Sequence, residues 1–151
     1  MPEISIEAAI SRATADVLEK MFFTDFAAES EWIEDSGPRI AVRLAFDGER
    51  QGFLNLVISS DSARILAADF LGTDTADGAD EMQVNEVVRE LANMICGDAL
   101  STLEKRPLRL SAPEILRAAE FALPEGSAHR SFDLNGGTLA VGLVFQGGVN
   151  A

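Results

Sequence analysis

Arg39–Ser59 reads RIAVRLAFDGERQGFLNLVIS, and this stretch decides the fold. From Arg39 to Phe46 apolar and polar residues alternate, with Ile40, Val42, Leu44 and Phe46 on one side. That is the period of two expected of a half-buried strand. Asp47-Gly48 is a hairpin-type turn, and Gly52 to Ser59 returns as a second strand. A hairpin with one apolar face must bury it against other elements, so the rest of the chain has to supply more sheet and a cover.

Working outward, Ala128 to Leu134 and Thr138 to Phe145 read as a second hairpin joined through Asn135-Gly136-Gly137. Upstream, Ile6 to Phe22 has helical spacing, with Ala9, Ile10, Ala13, Val17, Leu18 and Met21 on one side. Ser60 or Asp61 is placed to cap a short helix through Phe70, and Gly72 to end it. After the loop TDTADGAD, a long helix runs from about Asp80 to Leu103 and stops before Pro107. The segment from Pro113 to Ala119 reads as a helical turn or irregular chain. Two hairpins and two substantial helices predict a single α+β domain over residues 1–151, an antiparallel sheet built from hairpins and covered by helices.

Composition narrows the function classes. A hydrophobic fraction of 47% supports a real core, and no run approaches the roughly 18 apolar residues of a membrane span. The opening MPEISIEAAIS lacks the basic and apolar regions of a secretory signal, which makes cytoplasm the expectation. A lone cysteine, Cys96, allows no internal disulfide. With 25 acidic against 12 basic residues, the formal charge of −13 argues against nucleic acid, whose phosphates demand clustered Lys and Arg. An acidic surface favours a partner that presents a cation, although solubility alone also accounts for it.

Asn85–Leu100, NEVVRELANMICGDAL, is the informative part of the long helix. At 100° per residue, Val84, Val88, Leu91, Ile95 and Ala99 share the arc that should face the core. Glu86, Glu90, Asn93 and Gly97 form a stripe nearly opposite. Asn and Gly are poor choices for a merely solvated helix face, less favourable than Ala by roughly 0.7 and 1 kcal/mol. A small residue lets another surface approach the backbone, and a carboxamide both donates and accepts hydrogen bonds.

Glu90-x-x-Asn93, with Glu86 four residues before it and Pro113 some twenty after, resembles the signature of the CheC/CheX phosphatases. The run GDAL (Gly97–Leu100) and ATADVLEKMF (Ala13–Phe22) are similar to CheX in particular. The resemblance implies a CheC-like fold. It also implies a phosphatase acting on the phosphoaspartate of a CheY-like response-regulator receiver domain, in chemotaxis or related two-component signalling. Asn93 would then orient the attacking water, as glutamine does in small GTPases, and Glu90 would pair with a receiver lysine. Glu86 and Gly97 would widen the docking surface. No cofactor is expected on this chain, the Mg²⁺ being supplied by the receiver, and a homodimer is implied.

Two departures stand out. CheC-type members often carry two motifs, but the first helix offers Val17 and Lys20 where Glu and Asn would stand, so one site per chain is expected. The position of Glu86 is more usually Asp or Ser in the family. The rival reading is a non-catalytic receiver-binding or signalling-assembly module of the same fold.

Other signals carry less. Glu86 and Glu90 could form half of a carboxylate metal site, but the Glu-x-x-His partner motif is absent. His129 reads as a surface strand residue, Cys96 as a structural thiol near the buried edge of its helix, and Trp32 as a core anchor rather than an interface aromatic. Asn135-Gly136-Gly137 reads as a turn and not a phosphate loop.

Overall fold

The structure, a computed structural model, describes residues 5–22, 28–30, 38–72, 80–104, 108–116 and 128–146. The first hairpin forms as β2 (Arg39–Asp47) and β3 (Gln51–Ser59), preceded along the chain by α1 (Ile6–Phe22) and β1 (Ala28–Ser30). Arg39 lies opposite Ser59 and Asp47 opposite Gln51, an unbroken antiparallel register. After α2 (Ser60–Leu71) and α3 (Glu81–Leu103) come the short β4 (Arg109–Leu110) and β5 (Glu114–Leu116), then the second hairpin, β6 (Ala128–Leu134) and β7 (Gly137–Gln146).

β3 and β7 pair with each other, which joins the hairpins into one antiparallel sheet ordered β1-β6-β7-β3-β2-β4, with β5 also on β2. The segment from Pro113 is therefore not helical: Glu114–Leu116 is a strand opposite Ala41–Arg43. Its short apolar pair, Ile115-Leu116, carries too little periodicity to tell strand from helix. The expectations for Trp32, Pro107 and residues 117–119 fall outside the described residues, as does most of the loop at 73–79.

Gly137, expected in the turn, is the first residue of β7 and pairs with Leu134. A Cβ at Gly137 would fall 2.2 Å from the Ser59 hydroxyl oxygen. That oxygen accepts the Thr138 N–H at 2.9 Å, and the Ser62 hydroxyl donates to the Asn135 carbonyl at 2.7 Å. The second turn is thus fastened to the junction of β3 and α2. Ser59, rather than Ser60 or Asp61, stands at the N-cap of α2, and its side chain makes no cap bond because it serves Thr138. Asp61 instead pairs with Arg64 at 2.7 Å. Gly72 ends α2 as expected, in the left-handed conformation at φ 73°.

The helices supply the cover. Val42, Leu44 and Phe46 of β2, Leu54, Leu56 and Ile58 of β3 and Leu139, Val141 and Leu143 of β7 share one core with Ile10 and Leu18 of α1 and Leu91 and Ile95 of α3. Fully burying a side chain of this kind contributes about 1.5–3 kcal/mol. Of the predicted apolar side of α1, Ala9, Ile10, Ala13, Val17 and Leu18 are buried, but Met21 is 43% exposed. Helical spacing assigns a side to Met21 and cannot say whether a neighbour reaches the last turn.

Candidate functional site

α3 begins with a capping box. The Asp80 carboxylate accepts the Gln83 N–H at 2.8 Å, and the Gln83 side-chain oxygen accepts the Asp80 N–H at 2.9 Å. Two otherwise orphaned donors are satisfied, and the helix phase is fixed from its first turn. Val84, Val88, Leu91, Ile95 and Ala99 are buried as the spacing required, joined by Val87, Ala92, Cys96 and Leu100. The buried arc is wider than predicted because α3 packs against α1, α2 and the sheet together. Glu86 and Glu90 are exposed and Asn93 is partly so.

These residues do not stand on an open helix face. With Arg89 they form one wall of a groove of about 400 Å³, whose other wall is Leu110, Ser111, Ala112 and Pro113. That second wall is held to the outer edge of β2. Leu110 pairs with Phe46, Glu114 pairs with Arg43, and between them Ser111 exchanges two bonds with Ala45. Its N–H donates to the Ala45 carbonyl at 2.9 Å, and its hydroxyl oxygen accepts the Ala45 N–H at 2.8 Å. Three residues, 111–113, face two on β2, so the segment bulges outward toward α3. Pro113, which has no N–H to give a ladder, stands where the bulge needs none.

Among the described residues, neither Glu90 nor Asn93 has a hydrogen-bond or ion-pair partner. Glu86 does: its carboxylate binds the Arg89 guanidinium at 2.5 Å, one turn along the helix. Gly97, the fourth member of the predicted stripe, is not part of the groove lining. A Cβ there would lie 4.0 Å from a methyl of Leu110, at the edge of ordinary contact. Cys96 is fully buried, and burial pushes its thiol up to about 12. His129 stands in β6 opposite Gly142 and is partly buried. No group of three or more His, Cys, Asp or Glu side chains among the described residues could hold a metal ion.

The family model described as chemotaxis phosphatase CheX matches residues 40–134. The chain belongs to the CheX family. That match runs from β2 into β6 and takes in both walls of the groove, with α1 lying before it. A crystal structure of the CheX–CheY–BeF3–Mg²⁺ complex from Borrelia burgdorferi is similar at 18% identity and TM-score 0.73, covering 96% of this chain and 100% of that one. CheX from Vibrio vulnificus aligns at 14% identity and TM-score 0.75 over 97% and 99% of the two chains. FliY from Thermotoga maritima aligns at 16% identity and TM-score 0.59 over 91% and 84%. No curated protein matches the sequence. The CheX-like α+β fold is thus established, an antiparallel sheet under three helices among the described residues.

Within this CheX-family chain, α1 offers no copy of the site. Val17, aligned with Glu90 when Met21 is set against Met94, is buried. Two features of the groove escaped the sequence reading. Arg89 could have been found by spacing alone, since it stands three after Glu86 and four before Asn93, the spacings of same-face neighbours. Pro113 enters the reading through the resemblance, but Ser111 and Ala112 beside it give no signal, since only pairing with β2 brings this wall opposite α3.

Proposed function

We propose that this CheX-family chain hydrolyses the phosphoaspartate of a CheY-like receiver domain, with Asn93 holding the attacking water and Glu90 holding the receiver. The observation that carries the reading is that Glu90 and Asn93, one turn apart in one groove, have no partner among the described residues, so both are available to another molecule. The likeness to a CheX crystallised with CheY, BeF3 and Mg²⁺ supports a receiver as that molecule, and supports Mg²⁺ as the receiver's rather than this chain's.

The chemistry asks little of the protein. Water oxygen bonds to phosphorus as the bond from phosphorus to the aspartyl oxygen breaks. The electron pair leaves with the carboxylate, and both hydrogens of the water depart with the phosphate as H₂PO₄⁻. Acyl phosphates are already labile, so placing the water in line supplies most of the acceleration. A carboxamide places water without adding negative charge beside the phosphoryl oxygens. Glu90 cannot lie against phosphate, so it takes a lysine of the receiver and sets where Asn93 lands. Glu86 and Gly97 flank this contact, Glu86 through Arg89 and Gly97 by keeping the next turn of the helix low.

No helix among the described residues is long and apolar enough to cross a membrane. We place the protein in the cytoplasm, where receivers are. A homodimer belongs to the same reading and rests on the family alone, because the outer strands of both hairpins are already paired, β2 with β4 and β5 and β6 with β1. Sedimentation as a single 16.2 kDa species would remove it.

The deciding measurement is single-turnover phosphate release from a phosphorylated receiver of the same organism, with this protein in excess. Asn93→Ala should keep fold and most affinity and lose about 10²-fold or more in rate, as a positioning group worth roughly 3 kcal/mol requires. Glu90→Gln should lose affinity first, most clearly at low salt. Wild-type turnover by Asn93→Ala would leave a receiver-binding module in place of an enzyme.

A further inference from the structure

We infer that Arg89 is a catalytic residue of the same groove, its guanidinium contacting the phosphoryl oxygens while Glu86 positions it. This rests on the phosphatase reading above and adds to it a residue that the reading does not require.

The electrostatics of the groove call for such a group. Its helical wall presents two carboxylates, Glu86 and Glu90, to an incoming phosphoryl dianion bound beside them. Arg89 is the single cation among the residues lining the groove. Once Glu90 has taken a receiver lysine, the phosphoryl group itself still needs positive charge from this side. Arg89 precedes Asn93 by four residues, so the two side chains are neighbours on one face of α3. A water held by Asn93 and an oxygen on the same phosphorus are close enough for adjacent side chains to serve both.

The state of Arg89 fits this use. One of its terminal nitrogens is held by the Glu86 carboxylate, which fixes the plane of the guanidinium. Its Nε is buried and has no hydrogen-bond partner. An arginine carries five N–H donors in a rigid fork, and the pair with Glu86 engages the end of that fork only. A buried donor left without a partner is costly in a folded protein and is rare for that reason. Here it belongs to the one groove cation beside the water-holding residue. The terminal nitrogen that Glu86 does not hold is the donor left for a phosphoryl oxygen, on a side chain that is 41% exposed. As charge shifts in the transition state, a guanidinium already held in place stabilises it without reorganising.

The test uses the full chain and a phosphorylated CheY-like receiver, comparing wild type, Arg89→Ala, Arg89→Lys, Glu86→Gln and Asn93→Ala. Single-turnover rate is read beside affinity for the receiver with and without BeF3⁻. Arginines that act on transferring phosphoryl groups contribute about 10³-fold or more in rate. We expect Arg89→Ala to lose at least 10²-fold in maximal rate, with affinity for the unmodified receiver within twofold. Arg89→Lys should recover part of the rate, because charge returns without the fork. Glu86→Gln should lower the maximal rate less than Arg89→Ala, and by more than it lowers affinity for the receiver, which a helix-stabilising pair would not do. Circular dichroism establishes that each variant is folded; should Arg89→Ala unfold, Arg89→Gln carries the test.

Arg89→Ala turning over at the wild-type rate beside an inactive Asn93→Ala overturns this inference and leaves the proposed function standing. An equal loss of affinity for both receiver forms at unchanged maximal rate also overturns it, making Arg89 a docking residue. Wild-type rates for Arg89→Ala and Asn93→Ala together would remove the phosphatase reading itself.

Discussion

The carboxylate of Glu104 lies against Arg50: its Oε1 is 3.6 Å from the guanidinium Nε and accepts the Arg50 backbone N–H at 3.3 Å. Glu104 is the residue at which α3 ends, and Arg50 belongs to the turn between β2 and β3. The guanidinium in turn covers the Phe145 ring at 3.9 Å, and that ring meets Phe46 edge-on at 5.4 Å. The end of the helix is therefore tied to the sheet through a chain of four side chains.

Cutting that tie should be felt in stability. The Glu104 side chain is 1% exposed and that of Arg50 38%, so the ion pair itself is partly screened and the N–H acceptor matters more. Glu104→Ala should destabilise by about 1.5–3 kcal/mol, the net worth of a hydrogen bond to a charged group. Glu104→Gln should cost less, since its amide oxygen still accepts. Urea unfolding of the two variants checks the order.

Gly52→Ala should be worse than its single methyl suggests. A Cβ at Gly52 would fall 1.9 Å from the Val144 carbonyl oxygen and 2.7 Å from the Phe46 ring. The carbonyl sits in the β3–β7 ladder and cannot move aside cheaply. Overpacking of this kind costs about 1–3 kcal/mol, readable as a lowered Tm, while Gly97→Ala, with only a distant Leu110 methyl ahead of it, should melt like wild type or higher.

Cys96 should resist thiol reagents in the native protein. With its thiol pushed up to about 12 by burial, about one molecule in 10⁴ holds a thiolate at pH 8. Modification by a disulfide reagent should therefore wait for unfolding and accelerate steeply in denaturant. Prompt labelling without denaturant would contradict the packing of α3.

Asp98 gives a pH signature of known sign. Burial raises its carboxyl above the ordinary value, Asp16 pushes the same way, and Lys20 and Arg12 oppose. A raised folded-state value means that the native protein holds this proton more tightly than the unfolded chain. Its contribution to stability therefore falls as pH climbs from about 4, the ordinary aspartate value, through the raised one. Asp98→Asn should melt above wild type at pH 7, with the gap closing as pH drops below about 4. An Asn variant less stable at both pH values would refute this.

The sequence exposed what depends on local period and hid what depends on pairing. Val84 to Ala99 could be read as buried, and Glu86, Glu90 and Asn93 as outward, because one helix repeats every 3.6 residues regardless of its neighbours. Both hairpins were legible from alternation and turn chemistry. Glu114–Leu116 was not, since a three-residue strand carries almost no period and exists through β2. Gly137 was misplaced because a close approach to Ser59, 78 positions earlier, leaves no mark in local sequence. The groove stayed hidden for the same reason: one wall is a helix, and the other is a bulge whose position only the sheet edge determines.

α3 supplies the groove wall that carries Glu90 and Asn93 and, through Val84 to Leu100, the middle of the core. The site therefore has no separate softness by which it could loosen while the fold survives. Residues on such an element exchange their amide hydrogens only through global opening, so heat should abolish activity and tertiary structure along one curve. A cavity-forming change such as Leu91→Ala would then thin the population of active molecules and leave each surviving molecule working at full rate. For this protein, the supply of folded chains is itself a setting of phosphatase output, adjustable by any mutation that touches the core.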